Sequence, residues 1–90
     1  MHAVVARSTL LDFERATTFL REQAIPRMKQ RPGFVGAQWV RLDEKTGASM
    51  LTFETEEAAR GAAEFIKSNP PGGDAIQIES IEVGEVVERV

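Results

Sequence analysis

The sequence predicts an α+β domain, a four-stranded antiparallel sheet with two helices on one face, in the ferredoxin-like order βαββαβ. Three observations predict it. The hydrophobic period alternates between that of a strand and that of a helix, giving six segments in 90 residues. A short glycine-ended turn joins the second and third strands, which makes them an antiparallel hairpin. Both helices carry a single apolar stripe, so each can cover a sheet on one side only.

Residues 2–8 contain Val4 and Val5 and suit a short central strand. Thr9-Leu10-Leu11-Asp12 has the spacing of a helix start, with Thr9 as the cap that accepts from an orphan backbone N–H. Phe13, Ala16, Leu20, Ala24 and Met28 then fall on one stripe, widened by Phe19 and Ile25. Glu14, Arg15, Arg21, Glu22 and Lys29 form the opposite, charged face. Pro26 lacks a backbone donor and crowds the preceding turn, so a kink or break is expected near residues 22–25. Arg27, Lys29 and Arg31 suit the negative end of this helix, and Pro32-Gly33 stops it.

Residues 34–42 read as the second strand, Asp43 to Gly47 as the turn, and residues 48–54 as the third strand. Thr55 is a natural cap for the second helix, with Glu56 and Glu57 at its positive end. Ala58, Ala59, Ala62, Ala63 and Ile66 give that helix a narrow stripe of small residues, able to lie close to the sheet. Ser68 to Asp74, with two prolines and two glycines, is a loop. From Ile76 to Val90 the chain is β-branched with interleaved acids. Ile76 and Ile78 share one parity and Ile81, Val83 and Val87 the other, which calls for a bulge near Glu79-Ser80-Ile81.

The hairpin carries two apolar faces. With Leu42 opposite Ala48, one face holds Ala37, Trp39, Leu51 and Phe53, and the other holds Phe34, Val40, Leu42 and Met50. Helices cover one of these. A second copy of the same sheet is the simplest cover for the other, so a homodimer is expected.

Composition narrows the chemistry. Without cysteine there is no disulfide, thiolate metal site or cysteine nucleophile. No apolar run approaches the ~20 residues of a membrane span, and the N-terminus lacks the pattern of a signal peptide. A single cytoplasmic domain over residues 1–90 is expected. Net charge is −3, with eight basic and five acidic residues up to position 53 and three basic and nine acidic after it. An acidic whole argues against nucleic acid as a partner. The RNA-recognition motif shares the βαββαβ order but needs stacking aromatics on its third strand, where Ala48 and Met50 stand here.

Three stretches carry a family resemblance: Arg31-Pro32-Gly33-Phe34-Val35-Gly36, Phe53-Glu54-Thr55-Glu56-Glu57-Ala58-Ala59, and Glu79 to Val87. Together they make the chain resemble the antibiotic-biosynthesis-monooxygenase-like proteins of the dimeric α+β barrel superfamily. The resemblance implies two sheets closing a barrel, with a pocket between helices and sheet in each subunit. Some proteins it resembles oxidise phenolic or quinol substrates with dioxygen and no cofactor, others bind and degrade haem, and many are assigned no activity, so the resemblance implies one of these three. The haem branch's pocket tryptophan corresponds to Phe53, and its ligating histidine and pocket asparagine have no match, since His2 and Asn69 are the sole residues of their types. No cofactor is therefore expected. With no tyrosine and no pocket asparagine, the chain also departs from the residues that would bind or deprotonate a phenol.

The ligand-pocket candidates are Trp39, Phe53, Leu51 and Ser49, around a small hydrophobic or aromatic molecule. Trp39 can stack on such a ligand, or can be an anchor of the core. His2 is the only histidine, the residue type suited to general base catalysis, and stands at the start of the first strand. Arg7 and Arg41 have the planar fork that holds a carboxylate, or can pair with acids of the last strand or of a partner. Glu79, Glu82, Glu85 and Glu88, spaced by three along a strand, do not converge on a metal. No residue is assigned to catalysis. The expected function is a cofactor-independent monooxygenase-like enzyme or binder of a quinol-type molecule; the alternative is a non-catalytic homodimer that shares only the fold.

Overall fold

The computed structural model describes all 90 residues. Strand β1 spans His2–Leu10, β2 Phe34–Arg41, β3 Thr46–Phe53 and β4 Ile76–Glu85. Helix α1 covers Phe13–Phe19, continues as a π-helical segment over Leu20–Ala24, and resumes as α2 over Ile25–Lys29. Helix α3 covers Glu56–Ser68, and a 3₁₀ turn over Gly73–Ala75 leads into β4. The sheet is antiparallel in the order β2-β3-β1-β4, the ferredoxin-like arrangement expected from the sequence. No helix is long and apolar enough to cross a membrane.

The first helix starts three residues later than its sequence suggests. β1 runs on to Leu10, which pairs with Ile76, and Thr9 stays in the strand with its hydroxyl donating to Glu79 Oε2 at 3.0 Å. Asp12 is the cap instead, its carboxylate accepting from the Arg15 N–H at 3.1 Å. Thr55 caps α3 as expected, accepting from the Ala58 N–H at 3.0 Å.

Pro26 shapes the middle of the long helix. It removes a donor from the helical ladder, and the turn before it widens: the Ile25 N–H donates to the Leu20 carbonyl five residues back. The expected irregularity is thus a wide turn that inserts one residue, not a break. Gly33 follows the helix with φ +74°, a conformation that suits glycine, and its carbonyl accepts from the Glu54 N–H at 2.8 Å.

Two bulges set which side chains face the helices. Arg7 pairs with Ser80 and Ser8 with Ile78, leaving Glu79 as the extra residue in β4. Ile76, Ile78, Ile81 and Val83 thereby share the helix-facing side, as their change of parity requires. In the hairpin, Val40 rather than Leu42 stands opposite Ala48, a two-residue offset that leaves the faces unchanged. A second bulge between Phe34 and Gly36 does change one: Phe34 turns to the helix side and meets Phe53 edge-on, with ring centroids 5.8 Å apart. Val5, Val40 and Met50 remain exposed on the opposite face. Past Glu85 the chain leaves the sheet, and Val87 is exposed.

The core lies under α3. Val4, Leu51, Phe53 and Ile66 are essentially inaccessible, and Ala59, Ala62 and Ala63 bring the helix backbone down onto β1, β3 and β4. Burying a side chain the size of leucine or phenylalanine contributes roughly 1.5–3 kcal/mol, so this half carries much of the stability. Helix α1 is different. Its close neighbours are the π segment and the 3₁₀ turn, and it stands off from the sheet.

Candidate functional site

Where α1 stands off, the sheet and the helix border a half-open cavity of about 330 Å³. The reason is residue size. The alanine stripe lets α3 settle on the sheet, while Phe13, Leu20 and Ile25 hold the other helix away. Ser8 and Leu10 of β1, Ser49 of β3 and Trp39 of β2 supply the sheet side. Pro71 and Gly72 close one end. Gly72 is needed there, since a Cβ would come within 2.5 Å of the Ile76 side chain and 3.3 Å of Ala16. The volume falls at the lower end of the ~300–1,000 Å³ of small-molecule clefts. Grooves along β4 and the outer side of α1 are more open; the first mixes polar residues with Ile76, Ile78 and Ile81, and the second is lined mostly by polar side chains.

The four pocket candidates separate along the sheet. Trp39 and Ser49 are opposite one another on β2 and β3, and both line the cavity. Leu51 and Phe53 lie further along β3, under α3, in the solid core. Trp39 is half-buried and packs against that core, so it belongs to both regions. Its indole nitrogen is enclosed by protein atoms and has no hydrogen-bond partner. What its side chain offers the cavity is therefore ring surface. Behind it lies a second hollow of about 100 Å³, lined by Trp39 with Phe19, Ala24, Met28 and Phe65 among others.

Polar groups at the cavity are few and of one sign. Ser8, Thr17 and Ser49 contribute hydroxyls, and Thr17 already donates to the Phe13 carbonyl at 2.7 Å. Arg21 and Arg41 are the only ionisable side chains in the lining; no carboxylate, histidine or tyrosine is present. The Arg41 guanidinium carbon lies 3.9 Å from the centroid of the Phe13 ring, and its Nη2 donates to the Glu44 carbonyl at 3.3 Å. Arg21 forms no ion pair: the three in the molecule are Arg15–Asp74, Arg60–Glu56 and Lys67–Glu64.

Arg21 is the lining residue its sequence hides. Grouped by charge it belongs with Glu14, Arg15 and Glu22, yet on a helix it lies on the flank, about 80° from Phe13 and 100° from Leu20. The π segment carries one extra residue, whose rotation accumulates along it: Ile25, at its end, lines the cavity beside Arg21, while Ala24 lines the smaller hollow. Pro26 is the signal in the sequence that marks this shift. Arg7, by contrast, has the strand parity of Val5 and lies on the face away from the helices. His2 pairs with Phe53 and Glu85 at the far end of β1 and does not line the cavity. No group of three or more carboxylate or histidine side chains is placed to hold a metal.

Comparison with solved structures places this arrangement among known folds. SnoaB, a cofactor-independent oxygenase from Streptomyces nogalater, matches 99% of the chain over 95% of its own length, with a TM-score of 0.77 and 14% identity. The chain shares its fold with a cofactor-independent oxygenase. A Bordetella bronchiseptica protein provisionally named an antibiotic biosynthesis monooxygenase matches 97% of the chain over 98% of its own length, with a TM-score of 0.64 and 18% identity. A dimeric ferredoxin-like protein from an uncultured marine organism matches the whole chain over 98% of its own length, with a TM-score of 0.62 and 12% identity. No family model and no curated protein matches the sequence. At these identities the likeness is one of fold, and it agrees with the resemblance carried by the three stretches of sequence.

Proposed function

We propose that the chain is a cytoplasmic homodimer whose cavity takes a small flat aromatic molecule of the quinol type, for oxidation by dioxygen without a cofactor. The observation that carries the binding part is the 330 Å³ cavity itself, apolar in most of its lining and bounded by the Trp39 ring. An apolar hollow with a few polar groups is what such a ligand needs. The oxygenase part is supported by the fold shared with SnoaB, and self-association by the dimeric ferredoxin-like neighbour and the exposed Val5, Val40 and Met50. The ligand site comprises Trp39 and Ser49, with Leu51 and Phe53 as the packed floor beside it.

One observation favours a second reading. The lining contains no side chain able to act as a general base near neutral pH, so binding without turnover is the alternative, in a homodimer that shares only the fold.

Both are tested with 1,4-dihydroxynaphthalene. Titrated without oxygen, it should quench the single tryptophan saturably in the wild type and bind Trp39→Ala at least about tenfold more weakly, the loss of a stacking face. Oxygen is then admitted and its uptake followed. Uptake above the uncatalysed rate supports the oxygenase; saturable binding without it supports the second reading. If quencher affinity is the same in Trp39→Phe and Trp39→Ala by calorimetry, the cavity is not the site.

A further inference from the structure

Two guanidinium groups border an otherwise uncharged cavity, and nothing in the chain neutralises them there. Arg21 makes no ion pair, and Arg41 spends its charge on an aromatic face and a backbone carbonyl. The protein as a whole carries net charge −3, so carboxylates are plentiful elsewhere, yet none lines this hollow. Surface arginines usually sit among opposite charges. These two reach the same cavity from different elements, Arg21 from the π segment and Arg41 from the end of β2.

Each is held there by local structure. Arg21 stands at the start of the π segment, on the helix flank that borders the cavity beside Leu20. The Phe13 ring lies under the Arg41 guanidinium, and one guanidinium nitrogen donates to the Glu44 carbonyl, which leaves further donors. A guanidinium matches the two oxygens of a carboxylate, and it is more weakly hydrated than an ammonium, so it loses less on entering an apolar surround. Phe13, Leu20 and Ile25 provide that surround. Ring surface at Trp39 with two cations in the same lining describes a ligand that is flat and apolar in its body and anionic at an edge.

We infer that the natural ligand of this cavity is an aromatic carboxylate, its ring against Trp39 and its acid group held by Arg21 and Arg41. This rests on the proposed ligand site and adds the class of molecule that fills it.

The test compares 1-hydroxy-2-naphthoate with 1-naphthol, which differ in the carboxylate, using tryptophan fluorescence and calorimetry on the wild type, Arg21→Gln, Arg41→Gln and the double variant. The acid should bind the wild type about tenfold or more tightly than the phenol, as a charge-assisted contact predicts. That advantage, read as the ratio of the two affinities within each variant, should fall to about threefold or less in the double variant and should shrink with added salt. Arg21→Lys should retain part of it, which separates charge from packing. Equal affinity of the two probes in the wild type, or an advantage that survives the double variant, overturns the carboxylate while leaving the cavity as a site for neutral rings. Binding of neither probe overturns the carboxylate and the ligand site together.

Discussion

The guanidinium of Arg41, the last residue of β2, lies over the ring of Phe13, the first residue of α1, at 3.9 Å from its centroid. This contact ties the start of the standing-off helix to the edge of the sheet, in a region where the two otherwise touch little. It is a strut at the cavity, built from two residues that each line it.

A double-mutant cycle between Phe13→Leu and Arg41→Gln should therefore show coupling of about 0.5–1 kcal/mol by urea unfolding, the range for an exposed cation–π pair. Coupling near zero would mean that the two side chains merely lie side by side.

Pro26→Ala restores the missing donor and lets the helix rewind with α-helical spacing. The rotation of about 100° from the extra residue accumulates along the π segment, so losing it carries Ile25, which follows the segment, off the cavity and Ala24 towards it, while Arg21, near its start, shifts little. The expected outcome is a stability equal to or above the wild type with a several-fold loss of affinity for 1-hydroxy-2-naphthoate. Unchanged affinity would show that the wide turn does not depend on the proline.

Glu56 accepts from Arg60 Nε at 3.0 Å and Nη2 at 2.7 Å at the start of α3. The hydrogen bond to Arg60, then the charge of Arg60 and of His2, hold its carboxyl below the ordinary 4.5. Its pKa is lower folded than unfolded, so its contribution is present above pH 4.5 and disappears as the pH falls through the folded value. NMR titration of the side-chain carboxyl should give a midpoint below 4.5. Glu56→Gln should lower the melting temperature slightly at neutral pH and not at all in acid; a midpoint at or above the ordinary value refutes the account.

The outer face makes its own forecast. Met50 is 45% exposed in the middle of the sheet, opposite Val5 on β1 and diagonal to Val40 on β2. Sedimentation of the wild type should give twice the 9.9 kDa chain mass, and Met50→Glu the chain mass with an unchanged circular dichroism spectrum. A wild-type monomer at micromolar concentration removes the homodimer.

The element order, the Thr55 cap and the bulge at Glu79 are legible in the sequence because each leaves a mark in side-chain chemistry or parity. Isoleucines out of phase on one strand can be reconciled in few ways. The bulge before Gly36 leaves no such mark: Gly36 and Ala37 offer too little side chain to show the change of phase, so Phe34 reads as an outer-face residue. Thr9 and Asp12 both have cap chemistry, and the choice between them rests on the pairing of Leu10 with Ile76, a contact between residues far apart in the chain. The candidate site was half legible. Periodicity places Trp39 and Ser49 on the helix side with Leu51 and Phe53, but cannot tell which end of that face is filled. That depends on how closely each helix approaches, and on the extra residue before Pro26, which exchanges the places of Ala24 and Ile25.

Trp39 also stands as the wall between two rooms, the 330 Å³ cavity and the 100 Å³ hollow behind it. A smaller residue at this one position would join them into a single longer chamber, at the cost of the stacking surface. Descendants of this scaffold could thus exchange a short guest for a longer one by a single codon change, with the alanine-packed half of the domain left untouched.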